Sequence, residues 1–212
     1  MNNVYCSSCG LERPRELTTT TERPPCSQCG GTALTINLAI DEAVFAKTNL
    51  GSEIVPGSQK RDWKQRWQVL QGDLEVISAP CTDVMSSNTI HTALQRLCSF
   101  FIQAYHLKDA LKEAAPELGL RGTDIEDAIT LDPRLALLAD LANLDKHLTL
   151  TRQPRSGFTP VIKTFSGVDD PSGHGWNLSA KIAHGNELLD GVSAAKQATD
   201  AWREKLSMWG IV

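Results

Sequence analysis

No stretch of the chain approaches the roughly 18 continuous apolar residues of a membrane-spanning helix, so no transmembrane span is expected. The N-terminus, MNNVYCSSCG, has no basic start followed by an apolar run. That argues against a secretory signal and for the cytoplasm. An excess of positive charge is also missing. Lys and Arg number 21 against 25 Asp and Glu, a formal net charge of −4. Such a balance excludes a chain that coats nucleic acid along its whole surface, while leaving room for a local basic patch. There is no internal repeat and no low-complexity tract. Cysteine is scarce, with six in 212 residues. In a reducing cytosol, paired cysteines more often bind metal than form disulfides. What is present, 41% hydrophobic and 22% charged residues, fits a soluble globular protein. The length suits one sizeable domain plus a small module.

Four of the six cysteines form two CxxC pairs, Cys6-Ser7-Ser8-Cys9 and Cys26-Ser27-Gln28-Cys29. Sixteen residues separate the pairs, and glycine follows each one (Gly10, and Gly30-Gly31). Two residues between cysteines let a tight turn aim both sulfurs at one ion. The glycine relieves the backbone as N–H groups turn toward sulfur. The spacing matches a four-thiolate zinc site. A segment this small cannot bury a core, so the metal would supply its folding energy. The pattern over residues 4–36 resembles a zinc ribbon with two knuckles, YCSSCG and PCSQCGG. With all four ligands thiolate, Cys6, Cys9, Cys26 and Cys29 are expected to hold a structural Zn²⁺ with no open catalytic position. A redox CxxC pair is the alternative. The ribbon itself can face nucleic acid, a partner protein or the rest of the chain.

Leu34–Ala39 alternates apolar and polar and reads as a strand, the ribbon's last. Gly51, Pro56, Gly57 and Ser58 mark a loop, which sets expected boundaries of 1–40 for the ribbon, 41–59 for a linker and 60–212 for the main domain. Residues 60–79 read as a helix with Trp63, Trp67, Leu70, Leu74 and Ile77 on one face. Lys60, Arg61, Lys64 and Arg66 crowd its first two turns. Cations interleaved with tryptophans can hold a single strand by phosphate contact and base stacking. Because both tryptophans continue into the leucine stripe, the favoured reading makes them core anchors and leaves the cations solvated. Cys81 and Cys98 have no metal-like neighbours and read as ordinary buried cysteines.

A long helix is expected from the Ser86-Ser87-Asn88 caps to about Ala114, before Pro116, with Ile90, Leu94, Leu97, Phe101, Ala104 and Leu111 as its buried stripe. On another face Ile102, His106 and Asp109 stack. A short helix opens on the capping box Thr123-Asp124-Ile125-Glu126. The next helix runs from Asp132, with Pro133 at its first position, to about Leu150. Leu135, Leu138, Leu141, Leu144 and Leu148 form its apolar stripe, and Asp140, Asn143 and His147 stack on one face with Lys146 beside them. After a basic turn holding Arg152 and Arg155, Thr159–Phe165 and Trp176–Ala183 read as a hairpin. A final helix spans about Gly191–Met208. His91, His174 and His184 read as surface or loop residues.

The polar row supports two readings. If the two long helices pack antiparallel, His106 and Asp109 face Asn143 and His147 across one cleft. One histidine then serves as base and the other as acid on a phosphodiester, with Lys146 on the phosphate. A metal site of His106, Asp109 and His147 is a further variant. Alternatively the row is a satisfied network in which Asp109 or Asp140 holds an imidazole and Asn143 bonds across helices.

The strings AYHLKD and DLANLDKH, over about residues 86–150, resemble the HEPN superfamily of small helical bundles, many of them metal-independent endoribonucleases of toxin and defence systems. Asn143 and His147 match that family's Asn and His, while its Arg falls on Ala142. The resemblance implies a homodimer acting on RNA, with Lys146 or an arginine of the 152–155 turn replacing the missing guanidinium, a replacement that loses the bidentate fork if Lys146 serves. The expected architecture is therefore mainly α: a HEPN-like bundle with a C-terminal β-hairpin and a four-Cys ribbon. The expected function is RNA-directed, with a catalytic set of His147, Asn143, Lys146, His106, Asp109 and Asp140. Arg61, Lys64, Arg66, Arg152 and Arg155 would contact nucleic acid. The competing expectation is a non-enzymatic binding or adaptor module that docks a protein through the ribbon.

Overall fold

A computed structural model describes residues 3–18, 23–38, 62–147 and 153–212 of the chain. The strands are β1 (Asn3–Cys6), β2 (Glu12–Arg13), β3 (Leu34–Leu38), β4 (Val161–Asp169), β5 (Trp176–His184) and β6 (Glu187–Asp190). The α-helices are α1 (Trp63–Ser78), α2 (Ser87–Ala114), α3 (Gly122–Leu131), α4 (Pro133–His147) and α5 (Gly191–Met208). Residues 41–59, expected as a linker, lie outside the described residues, as do Arg61, Arg152 and the side chains of Lys146 and His147.

The expectation of a mainly helical bundle is overturned. Among the described residues helix accounts for 50% and strand for 19%, and six strands form one antiparallel sheet in the order β2-β1-β3-β4-β5-β6. The ribbon strands and the C-terminal hairpin are joined where β3 pairs with β4, from Thr35↔Val168 to Leu38↔Phe165. Single-sequence periodicity identifies strands but not their partners, and these two lie over 120 residues apart. β6, unrecognised in the sequence, is only four residues long and runs straight into α5.

The register lines up one cross-sheet row, Val4↔Ile36↔Gly167↔Leu178, on the face that meets the helices. Val4 and Ile36 are buried, and the Met85 and Ile90 side chains press against Gly167. A second row places Phe165 beside Ala180, both buried, with the His91 ring edge-on to Phe165 at 5.2 Å. Ribbon strands, hairpin and helices thus share one hydrophobic core.

α2 is the central helix. Ser86 accepts the Thr89 amide while Thr89 Oγ1 accepts the Ser86 amide, a reciprocal cap. Its expected stripe is buried, and Phe100, Leu107 and Ala110 are buried too, because α1, α4, α5 and the sheet all pack around it. Trp202 of α5 is fully buried and donates its indole N–H to the Ala104 carbonyl at 3.0 Å. In α1, Trp63 and Trp67 are buried, as the core-anchor reading expected. The cap of α3 differs from expectation. The helix starts at Gly122, and Asp124, not Glu126, accepts the N-cap amide, that of Arg121.

Gly175 shows how tightly the hairpin loop is seated. Its φ is +131°, and a Cβ there would lie 2.2 Å from the Cys81 carbonyl oxygen. Cys81 and Trp176 exchange both backbone hydrogen bonds at that point, at 2.7 and 3.0 Å. Gly175→Ala is expected to cost at least about 2 kcal/mol through backbone strain and displacement of this bridge. Urea unfolding monitored by tryptophan fluorescence measures it. A loss below about 0.5 kcal/mol would contradict this account of the loop.

Candidate metal centre and the polar networks around it

The two knuckles fold alike. Gly10 N–H donates to the Cys6 carbonyl and Gly30 N–H to the Cys26 carbonyl, at 2.9 and 2.8 Å. Cys6 N–H returns to Leu11 O and Cys26 N–H to Gly31 O. Gly10 and Gly30 take φ values of 74° and 75°, which side-chain-bearing residues rarely adopt. Each glycine therefore closes a turn that leaves both cysteines of its pair pointing the same way.

All four sulfurs lie within 4.8 Å of one another. Cys6 Sγ and Cys29 Sγ are 3.5 Å apart, and Cys9 Sγ and Cys26 Sγ 3.7 Å. A tetrahedral ion with metal–sulfur bonds of about 2.3 Å separates its sulfurs by about 3.8 Å, so the cluster fits a metal ion. Cys6 sits at the end of β1 opposite the buried Leu34, which ties the centre to the sheet.

Backbone amides favour the anionic form of two of the sulfurs, Cys6 and Cys26. The Gln28 and Cys29 amides hold the Cys26 thiol down to about 6, and the Cys9 and Ser8 amides lower Cys6. The Leu11 amide lowers Cys9 as well, but burial and the sulfurs of Cys29, Cys26 and Cys6 outweigh it and push Cys9 up to about 12. Four thiolates this close repel one another, and a divalent cation offsets that repulsion.

The sequence-derived catalytic residues fall into separate settings. His106 Nδ1 bonds Asp109 Oδ2 at 2.9 Å on α2, and both side chains are largely in solvent. Asp109 also receives Lys108 Nζ at 2.6 Å, and this contact together with the His106 bond holds its carboxyl below the ordinary value against the pull of burial. Lys108 and Lys112 reach Glu126 of α3, and Arg155 pairs with the same carboxylate at 3.2 Å. Asp109 and Arg155 therefore lie along one seam whose cations are already matched by carboxylates.

Asp140 faces elsewhere. It is 3% exposed and accepts the Arg155 amide at 3.0 Å, the Ser156 amide at 2.8 Å and the Ser156 hydroxyl at 2.6 Å. His184 Nε2 meets the same hydroxyl at 2.9 Å, and Phe158 stacks edge-on against the imidazole. Since the Ser156 proton lies toward Asp140, His184 is the donor, and the chain reads imidazole to hydroxyl to carboxylate. That order pins the 155–158 turn between α4 and β5. It is the reverse of a nucleophilic serine, whose proton passes to the imidazole. Asn143 is half-buried on α4, and Ala142, where the resemblance would place an arginine, is 4% exposed.

Of the expected nucleic-acid contacts, Lys64 lies over the Trp63 ring at 5.6 Å, and Arg66 is half-buried with its Nε shielded and unbonded. Burial of the tryptophans removes them as a base-stacking platform. Sequence reasoning missed Ser156 and His184, and also the Arg134 fork between Asp132 and Glu204. Partners 28 to 70 residues apart leave no local pattern.

No family model, no curated protein and no solved structure matches the chain. The HEPN resemblance rests on the two strings alone.

Two outcomes follow from this geometry. Asp140→Ala leaves two backbone N–H groups and a hydroxyl without their acceptor. It is expected to lower stability by about 2–3 kcal/mol in urea titration, with Asp140→Asn losing less. The lowered Cys26 thiol is anionic above about pH 6 and gains its proton below it. Stabilisation from this thiolate is full above the ordinary value of 9.0 and falls away as pH drops toward 6. Protons compete with a metal for the thiolates, so bound metal is expected to leave as the solution is acidified, read by metal analysis after dialysis at falling pH. Retention at pH 4 would contradict the ligand set.

Proposed function

We propose that the chain is a non-enzymatic binding or adaptor protein whose ribbon is held by a structural Zn²⁺ on Cys6, Cys9, Cys26 and Cys29. The four-sulfur cluster carries this reading. Its ligands are all thiolate, zinc favours four sulfurs in a tetrahedron, and no position is left for a reacting water. The polar groups away from the metal support it. Asp140 is saturated by a turn, and the Asp109 and Arg155 charges are neutralised by neighbours. Among the described residues no helix is long and apolar enough to cross a membrane.

Purified protein should contain about one zinc per chain, and Cys6→Ser should lose it and unfold at a lower midpoint. Incubated with total RNA in buffer without added divalent ions, the protein should leave the RNA intact. Cleavage that disappears in both His106→Ala and His147→Ala would overturn the binding reading in favour of a ribonuclease.

A further inference from the structure

Asp169 closes β4, 135 residues beyond Leu34 and 146 beyond Arg23 in the chain. Its Oδ2 accepts the Leu34 amide and also a guanidinium N–H of Arg23. Both contacts are largely shielded from water: the Asp169 side chain is 15% exposed and that of Arg23 is 23% exposed. Arg23 and Leu34 bracket the segment that carries Cys26 and Cys29. A single carboxylate of the hairpin therefore closes a loop around the second knuckle and fastens it to the main sheet.

The other bonds of this segment stay within the ribbon. Cys26 N–H to Gly31 O and Gly30 N–H to Cys26 O shape the turn itself. Arg13 Nη2 donates to the Pro24 carbonyl at 2.7 Å, and the Ser7 amide donates to Ala33 O at 3.0 Å. These set the two knuckles side by side, and Asp169 adds the hold from the helical core. Both of its contacts lie close to ligands. Arg23 precedes Cys26 by three residues, and Leu34 stands opposite Cys6 in the sheet. The closest sulfur pairs, Cys6 with Cys29 and Cys9 with Cys26, each take one sulfur from either knuckle. Four-sulfur binding thus depends on how firmly the second knuckle is held against the first. A loop with a free end must lose that freedom when it takes an ion. A loop fastened at both ends has lost it already.

We propose that Asp169 is a positioning residue for the metal centre: it holds the Cys26–Cys29 knuckle in ligand geometry before the ion arrives, which raises metal affinity and slows release. The proposal rests on the reading in which Cys6, Cys9, Cys26 and Cys29 hold the ion. Asp169 acts through Arg23 and Leu34 rather than on the sulfurs.

The full chain is loaded with Zn²⁺ and titrated with a chromophoric chelator, which gives affinity and release rate. A parallel Co²⁺ titration reads the four-thiolate geometry from its absorption bands. Asp169→Ala removes both contacts and is expected to lower metal affinity about tenfold, with faster release. Asp169→Asn keeps an acceptor for the Leu34 amide and should recover part of the loss. The Co²⁺ bands should keep their positions in both variants, since the four ligands are unchanged. Asp140→Asn loosens the turn at the opposite end of the hairpin and should leave affinity and release as they are. Unchanged affinity in Asp169→Ala overturns the proposal, and so does an equal loss in Asp140→Asn, which would mark a general loosening of the fold. Should Asp169→Ala fail to fold, Arg23→Gln decides by the same criterion, because it breaks one end of the clamp and leaves the Leu34 contact in place. A wild-type chain that binds neither Zn²⁺ nor Co²⁺ overturns the metal reading itself. A wild-type chain that binds, with Asp169→Ala indistinguishable from it, removes the clamp alone.

Discussion

The pairing of β3 with β4 is the interaction on which the rest of the structure depends. It makes one sheet from strands on either side of the helices in sequence. Through the row Val4, Ile36, Gly167 and Leu178 it presents a continuous apolar face to α2. Without it the ribbon strands would bury little and the hairpin would lack a neighbour on one side. A two-stranded hairpin is marginal in water, and a ribbon without metal has almost no core. Joined, they become half of a two-layer structure whose other half is the helices.

The four-cysteine cluster occupies one end of this sheet. Cys6 closes β1 opposite Leu34, and the Leu34 amide binds Asp169 at the end of β4. Ligand geometry and strand register are therefore neighbours in space, though their residues come from distant parts of the chain. A metal held there would add local folding energy to residues that already belong to the main core, which differs from a ribbon folding alone on its ion.

Much was legible in the sequence because it is local. The CxxC-Gly repeats dictate a turn and two sulfurs whatever surrounds them. The leucine, tryptophan and phenylalanine stripes identify α1, α2, α4 and α5 through a period of 3.6 residues. The hairpin strands show the same locality. The polar row on α4 was legible as a row but not as a role. Asp140 looked like one member of a catalytic set, yet its partners, the Arg155 and Ser156 amides, lie beyond the end of its own helix. His184 read as a surface residue because nothing near it in sequence announces the Ser156 hydroxyl.

Local chemistry in the sequence determined the ligand residues, the helix spans and most strand positions, since each depends on residues a few places apart. Tertiary structure decided that ribbon and hairpin form one sheet, that His106 and Asp140 belong to different networks, and that Asp169 meets Arg23 and the Leu34 amide. Those outcomes depend on which distant surfaces meet. Pairing and packing choose among many compatible partners by total burial and hydrogen-bond satisfaction, and a linear pattern carries no record of that choice.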